Sequence, residues 1–130
     1  MSSIDSLILP LLARRPEIRL AVLFGSMAAG EERSESDLDL AVDAGKPFGV
    51  EARIALIGEL AEATGRPVDL VDLCSVGEPL LGQIVVHGKR LMGNDVAYAG
   101  LIRRHLFEEA DFMPYYRRVL AERRQAWIAK

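Results

Sequence analysis

Two short motifs separated by ten residues carry the side chains with the clearest chemical potential: Gly25-Ser26 and Asp37-Leu38-Asp39. Aspartates two apart on a strand face the same side, about 7 Å apart along the backbone, and their carboxylates can converge on two hard cations about 3.5–4 Å apart. A Gly-Ser pair lets the backbone pass close to a ligand, because glycine has no Cβ, and the turn after it can present N–H groups to an anion. The combination predicts a site where Mg²⁺ ions meet a triphosphate.

A third carboxylate, from a neighbouring strand, would complete such a site on the side of the attacking group. Asp69, within residues 67–72 (PVDLVD), is the candidate. In a two-metal transfer, one ion lowers the pKa of the attacking hydroxyl, and the other neutralises the triphosphate and its pyrophosphate leaving group. Each motif alone is also typical of an ordinary turn or of a half-exposed strand. The prediction of nucleotidyl transfer therefore depends on their combination.

Two further aspartates are close in sequence to these residues, and we predict other roles for them. Asp72 lies three residues after Asp69 and would face the opposite side of the strand, which favours a strand-end or capping role. Asp43 shares a face with Asp37 and Asp39 but lies further along the strand. We predict that its carboxylate is solvated.

Alternating and β-branched runs predict the strands that would position the site. Residues 37–43 alternate between apolar side chains on one face and mainly acidic ones on the other, which is the period of a strand with one buried face. Residues 18–24 predict a strand that ends at Gly25, residues 68–73 a buried strand that carries Asp69, and residues 89–92 a short edge strand.

Helical spacing of apolar residues accounts for most of the remaining chain. Residues 4–12 carry a helical stripe, which Pro10 would kink or divide. Ser75 and Glu78 stand in the order of a capping box and predict the start of a helix that runs to about Gly88. Two further helices are predicted, at residues 50–61 before the Gly65-Arg66-Pro67 break and at residues 95–130 with an interruption at Pro114. The order of elements predicts an α/β (α+β) fold with a small mixed sheet backed by helices.

Composition restricts the class of protein. The chain has 130 residues, half of them apolar, with a net charge of −3, so it can bury one core and is not predicted to be disordered. Residues 31–43 contain six acidic residues and one arginine, the opposite of a surface that grips phosphate backbones, so no direct nucleic-acid binding is expected. No run approaches the roughly 20 apolar residues of a membrane span, no signal peptide is recognisable, and we expect a cytoplasmic protein.

Three stretches together resemble a known family: residues 23–26 (LFGS), 36–40 (SDLDL) and 68–71 (VDLV). They are similar to the minimal nucleotidyltransferases of the DNA polymerase β superfamily, and in particular to the MntA-type antitoxins of the HEPN/MNT toxin–antitoxin systems. The resemblance implies a polymerase-β-like fold with a minimal nucleotidyltransferase domain at residues 1–93. It also implies a helical C-terminal extension at residues 94–130, part of the same compact unit and a partner-contact surface.

The resemblance further implies an activity: a protein adenylyltransferase that uses ATP and two Mg²⁺ ions to transfer AMP to a tyrosine of a cognate HEPN-type ribonuclease toxin. Gly25 and Ser26 would hold the triphosphate, Asp37 and Asp39 the metals, and Asp69 the metal on the attacking side. A hetero-oligomer with the toxin is implied as well. Many relatives have a basic residue shortly after Gly-Ser, whereas this chain has residues 27–29 (MAA) there; Arg33 is the alternative phosphate contact.

Two alternatives remain open on the sequence. The chain could be a binding antitoxin that occludes its toxin without catalysis, or it could modify a small molecule, although 130 residues leave little room for the second domain that holds a small acceptor. The C-terminal segment could close the core of its own domain or dock a partner, because an apolar stripe with arginines opposite suits both. Neither His87 nor His105 is predicted to be catalytic.

Overall fold

The computed structural model describes residues 3–30 and 36–128, which form a four-stranded sheet with helices on both faces. The spatial strand order is β3-β2-β1-β4, with β1 antiparallel to both β2 and β4, and β2 parallel to β3. The predicted mixed sheet is therefore confirmed. The strands are β1 (Leu20–Phe24), β2 (Leu38–Asp43), β3 (Val68–Asp72) and β4 (Lys89–Met92), and the helices are α1 (Ser3–Ala13), α2 (Gly25–Ala29), α3 (Val50–Thr64), α4 (Leu80–His87) and α5 (Asp95–Ile128).

The sheet has two differently covered faces, as the alternation in β2 predicts. Leu38, Leu40 and Val42 are fully buried against the face that α1 and α3 cover. The next residues along the strands point the other way, so Ala41 and Phe24 belong to a second apolar cluster with α4 and α5. The acidic residues of β2, Asp39 and Asp43, lie on this second face, one near each end of the strand.

Proline does not divide either of the helices that contain it. The predicted division of the first helix at Pro10 is wrong, because α1 runs unbroken from Ser3–Ala13 with Pro10 on its exposed side and Ile8 and Leu12 fully buried. The predicted interruption at Pro114 is also wrong, since α5 is one helix of 34 residues. A proline removes one hydrogen bond from the helical ladder, and the flanking turns of α5 retain theirs. No described helix is long and apolar enough to cross a membrane.

The capping box predicted at Ser75 and Glu78 is wrong. α4 begins at Leu80, and its N-cap residue, Pro79, makes no side-chain hydrogen bond to the first turn. Oε2 of Glu78 instead accepts a hydrogen bond from the backbone N–H of Gly82 at 3.1 Å. The other oxygen of Glu78 lies 2.5 Å from Nδ1 of His105, so this carboxylate joins α4 to α5.

Asp72 holds the end of β3, as predicted. Its two carboxylate oxygens each accept a backbone N–H at 2.9 Å, one from Phe48 and one from Cys74. Replacing Asp72 by alanine would leave both donors without this acceptor, and hydrogen bonds to a charged group contribute about 1.5–3 kcal/mol each. Because both donors are partly buried, we expect the free energy of unfolding in a urea titration to fall by about 2–3 kcal/mol.

The matched control for this prediction is Glu62→Ala, which removes an exposed carboxylate from α3. Exposed substitutions of this kind change the free energy of unfolding by about 0.5 kcal/mol or less. If the two variants were equally stable, the Asp72 carboxylate would not be the group that fixes the loop after β2 to the end of β3.

Candidate active site

Gly25 connects β1 to the short helix α2 and lies against Asp39. Its φ is +69°, a left-handed conformation that glycine adopts without steric cost. A Cβ atom built on Gly25 would lie 2.2 Å from Oδ2 of Asp39, because Phe24 and Asp39 are paired in the antiparallel ladder between β1 and β2. The glycine is therefore required at this position for two separate reasons, its backbone conformation and the space that the carboxylate occupies.

Asp39 and Asp69 are brought side by side by the parallel pairing of β2 and β3. The register aligns Leu38 with Val68 and Asp39 with Asp69, and partners in a ladder point to the same face of the sheet. Asp37 lies one residue before β2 and is exposed. The start of β2 is held in place by the backbone N–H of Leu38, which donates to the carbonyl of Pro67 at 2.8 Å.

The electrostatics of the site centre on Asp39. Burial raises the pKa of Asp39 above its usual value, and the negative charges of Asp69 and Asp37 raise it further. No described side chain forms a hydrogen bond or ion pair with any of the three. Within residues 3–30 and 36–128, no three carboxylate, imidazole or thiol groups are arranged tightly enough to hold a metal ion as they stand.

The structure places the remaining predicted residues as follows. Ser26 is the second residue of α2 and is half-buried. The residue before α2, Phe24, offers no side-chain hydrogen bond to the first turn of the helix, so the N–H groups of that turn lack a capping side chain. Arg33 lies outside the described residues. The short helix α2 was not predicted from the sequence. A glycine directly after a buried strand was the signal that the backbone at Gly25 could come close to another group, here Asp39.

Asp43, predicted to be solvated, is instead a structural residue. Its carboxylate accepts hydrogen bonds from the N–H of Gly45 at 2.7 Å and from Nε of Arg19 at 3.2 Å, and it lies 3.4 Å from Sγ of Cys74. Burial pushes the pKa of Asp43 up, but these hydrogen bonds and the charge of Arg19 outweigh burial and hold it below its usual value. Asp43 is the last residue of β2, where the backbone of Gly45 and the side chain of Arg19 reach its carboxylate.

A separate cavity of about 240 Å³ lies between α4 and α5, lined in part by Glu78, Gly82, His105 and Glu109. His105 and Glu78 are nearly buried and pair with each other there. This cavity shares no residue with the carboxylate site.

The arrangement of a strand, a Gly-Ser turn, and carboxylates on two adjacent strands defines a class of protein. Residues 7–97 match the family described as polymerase beta, nucleotidyltransferase, and the chain belongs to this family. The resemblance and the fold inferred from the sequence are therefore confirmed. Membership implies, in general terms, a nucleotide substrate and a divalent metal ion.

Particular relatives are the protein adenylyltransferase MntA of Shewanella oneidensis and chains of toxin–antitoxin complexes. MntA is 42% identical over 78 residues, which cover 60% of this chain and 56% of MntA; the matched stretch thus spans little more than half of that relative. A crystal structure of a toxin–antitoxin with AMP-PNP contains a chain that is 32% identical, with a TM-score of 0.75 and coverage of 89% of this chain and 98% of that one. The structure of a complex of tri-AMPylated Shewanella oneidensis HEPN toxin with MNT antitoxin contains a chain that is 30% identical. Its TM-score is 0.69, and the match covers 90% of this chain and 96% of that one.

Proposed function

We propose that this chain is an antitoxin that acts as a protein adenylyltransferase, transferring AMP from ATP to a tyrosine hydroxyl of a cognate HEPN-type ribonuclease toxin. The observation that carries the proposal is the close approach of Gly25 to Asp39, with Asp69 beside it and Asp37 within electrostatic reach. The relatives add the nature of the acceptor, since one of them is a toxin complex whose toxin carries AMP.

The reaction that these groups support is a single displacement at phosphorus. The tyrosine oxygen forms a bond to the α-phosphorus of ATP, the bond from that phosphorus to the oxygen bridging to the β-phosphate breaks, and pyrophosphate leaves. The phenolic proton is released to water. Gly25 and Ser26 hold the triphosphate, because the backbone N–H groups in the first turn of α2 have no capping side chain and can donate to phosphate oxygens.

Two Mg²⁺ ions fit the chemistry of the three carboxylates. Asp37, Asp39 and Asp69 supply only oxygen ligands, which Mg²⁺ prefers, and it also retains water and binds substrate phosphates. Burial raises the pKa of Asp39, the negative charges of Asp69 and Asp37 raise it further, and a cation at this position would offset these charges. Bound there, the ions would lower the pKa of the attacking hydroxyl and neutralise the leaving pyrophosphate. Asp37 and Asp39 would hold the metals, and Asp69 would hold the one on the attacking side.

The test is the intact mass of the cognate toxin after co-expression with this chain. With the wild-type chain we expect a mass increase of one or more AMP units, and with Asp37→Ala/Asp39→Ala no increase. A toxin that keeps its unmodified mass beside the wild-type chain, while remaining neutralised, would contradict catalysis.

That last outcome would support a second candidate, a binding antitoxin without catalysis. One observation favours it: residues 27–29 (MAA) place no basic side chain after the Gly-Ser pair to contact a phosphate. The two candidates differ in what a carboxylate-free variant does to the toxin. Neutralisation that survives Asp37→Ala/Asp39→Ala at normal expression favours binding, and neutralisation that is lost together with the added mass favours adenylylation.

A further inference from the structure

Asp37 is held differently from the other two carboxylates of the site. Asp39 and Asp69 are paired residues of the ladder between β2 and β3, whereas Asp37 precedes the first residue of β2. A ladder fixes the backbone of its members through regular hydrogen bonds. The direction in which the Asp37 side chain leaves the backbone therefore depends on the hydrogen bonds of the two peptide groups that flank its Cα.

Both of these peptide groups are bonded to the short segment that enters β3. The carbonyl of Ser36, in the peptide group before Asp37, accepts a hydrogen bond from Nη1 of Arg66 at 3.0 Å. The N–H of Leu38, in the peptide group after Asp37, donates to the carbonyl of Pro67 at 2.8 Å. These two bonds restrict both backbone torsions of Asp37, so they determine where its carboxylate can lie.

The bond from Arg66 replaces one that the ladder cannot make. In a parallel ladder, a bonded residue donates to the residue before its partner and accepts from the residue after it. Leu38 pairs with Val68 and donates its N–H to the residue before it. Two residues earlier, the same pattern would have Ser36 accept the N–H of residue 67, but this residue is a proline, which has no N–H. The side chain of Arg66 supplies a donor to that carbonyl instead.

The backbone on either side of Arg66 is restricted. Gly65 ends α3 in a left-handed conformation with φ of +68°, and a proline restricts the residue before it to extended conformations. Arg66 is half-buried, and its bond to Ser36 is partly buried. The side chain therefore reaches the carbonyl from a backbone that has little freedom to move.

We propose that Arg66 is a positioning residue for the carboxylate site, whose side chain completes the ladder beside Asp37 and so fixes a carboxylate that binds Mg²⁺. This inference rests on the proposed function, because it is that reaction which gives Asp37 a metal ion to hold. Arg66 acts on the backbone of its own chain, so its loss weakens the metal site and leaves the affinity for toxin unchanged. Groups that orient a metal ligand typically contribute a factor of about 10–100 in metal affinity or activity.

The test measures how Mg²⁺ raises the Tm of the full chain in the presence of α,β-methylene ATP, which cannot transfer AMP. The variant is Arg66→Met, which removes the donor and the charge but keeps an unbranched apolar stem. We expect the Mg²⁺ concentration that gives half of the rise in Tm to increase about 10–100-fold. Arg66→Lys keeps a donor at the end of its stem, so its value should lie between those of the wild-type chain and Arg66→Met.

A second substitution separates the hydrogen bond of Arg66 from its charge. Replacing Pro67 by alanine provides an N–H at this position, which can donate to the carbonyl of Ser36 as in a regular parallel ladder. The double variant Arg66→Met/Pro67→Ala should therefore return to near the wild-type dependence on Mg²⁺. A double variant that needs as much Mg²⁺ as Arg66→Met would overturn the proposal, because the ladder bond would then not be what the site requires.

Arg53→Ala is the matched control. Arg53 of α3 is also half-buried, and its Nη2 also donates to a backbone carbonyl, that of Leu70 in β3. Leu70 is next to Asp69, but both residues belong to the ladder with β2. Loss of the Arg53 bond should therefore lower the Tm without metal and leave the Mg²⁺ dependence unchanged. Equal increases in the Mg²⁺ requirement for Arg53→Ala and Arg66→Met would contradict a specific role for Arg66.

AMP transfer to toxin separates failure of this role from failure of the proposed function. In Arg66→Met we expect the Mg²⁺ concentration for half-maximal rate to rise by the same factor, with the KM for toxin unchanged. Transfer by the wild-type chain, with a wild-type Mg²⁺ dependence in Arg66→Met, would overturn the role of Arg66 and leave adenylylation intact. No transfer by the wild-type chain, with a shifted Mg²⁺ dependence of the Tm in Arg66→Met, would overturn adenylylation and leave the role of Arg66 intact. A raised KM for ATP without a change in Mg²⁺ dependence would mean that Arg66 contacts the nucleotide, and would also overturn the proposal.

Discussion

Replacing Asp39 by asparagine is expected to reduce the rate of AMP transfer by about three orders of magnitude or more. Asparagine has nearly the same shape as aspartate but no charge, so it weakens a Mg²⁺ site without creating a cavity. Metal ions contribute several kcal/mol of stabilisation to a transition state of this kind, and each 1.36 kcal/mol corresponds to a factor of about ten in rate. The measurement is the initial rate of AMP incorporation into toxin by intact mass, at saturating ATP and Mg²⁺.

The same substitution is expected to stabilise the protein when no metal is present. Because burial and the neighbouring carboxylates raise the folded-state pKa of Asp39 above its usual value, the ionised carboxylate disfavours the folded state at neutral pH, and protonation relieves this effect. In EDTA, the Tm of Asp39→Asn should therefore exceed that of the wild-type chain at pH 7. The difference in Tm between the two proteins should narrow as the pH falls through the raised pKa toward the usual value of 3.8. Mg²⁺ should raise the Tm of the wild-type chain but not that of Asp39→Asn.

Asp43→Asn is the matched control, since Asp43 lies on the same strand and the same face as Asp39. Its carboxylate is held by Arg19 and the backbone of Gly45, so the variant should lose stability but transfer AMP within about threefold of the wild-type rate, because exposed or remote changes leave transition-state contacts intact. Equal losses in rate for Asp39→Asn and Asp43→Asn would mean that the strand, and not the metal-binding carboxylate, limits activity.

The sheet could be predicted from the sequence because its signal is local. The alternation through Leu38, Leu40 and Val42 specifies which face of β2 is buried, and a period of two leaves little freedom of register where one face is apolar. Once β2 and β3 are placed as neighbours, Asp39 and Asp69 must lie on a common face. The apolar pattern that builds the core thus also brings two of the three predicted ligands together.

The features that could not be predicted depend on contacts between distant segments. Glu78 has the spacing of a capping residue from Ser75, but His105, 27 residues further along the chain, takes part of its carboxylate. The sequence pattern suggests a solvated carboxylate at Asp43, but in the fold Arg19 and Cys74, from distant segments, contact it. A helix through Pro114 is likewise unpredictable from local rules, because the rules give the cost of the missing hydrogen bond but not the strength of the surrounding turns.

Replacing Gly25 by alanine is the second substitution with a large expected effect, and it tests the site through the backbone. The new Cβ would lie 2.2 Å from Oδ2 of Asp39 and would stand on a residue with φ of +69°. Either the carboxylate moves away from its position beside Asp69 or the turn into α2 moves away from β2. In both cases the triphosphate seat and the metal ligands lose their relative placement, and misplacement by about 1 Å can lower a rate about 10²-fold.

Gly65→Ala separates this clash from backbone strain. Gly65 ends α3 with φ of +68°, almost the value at Gly25, but a Cβ there would meet nothing within 4 Å. Both variants should lose about 1 kcal/mol or more of unfolding free energy through the left-handed conformation, measured in guanidinium, and Gly25→Ala should lose more. Only Gly25→Ala should lose AMP transfer. The extra instability should disappear when Asp39→Ala is added, since the two residues then no longer collide; if it persists, the collision with Asp39 is not the reason that glycine stands at position 25.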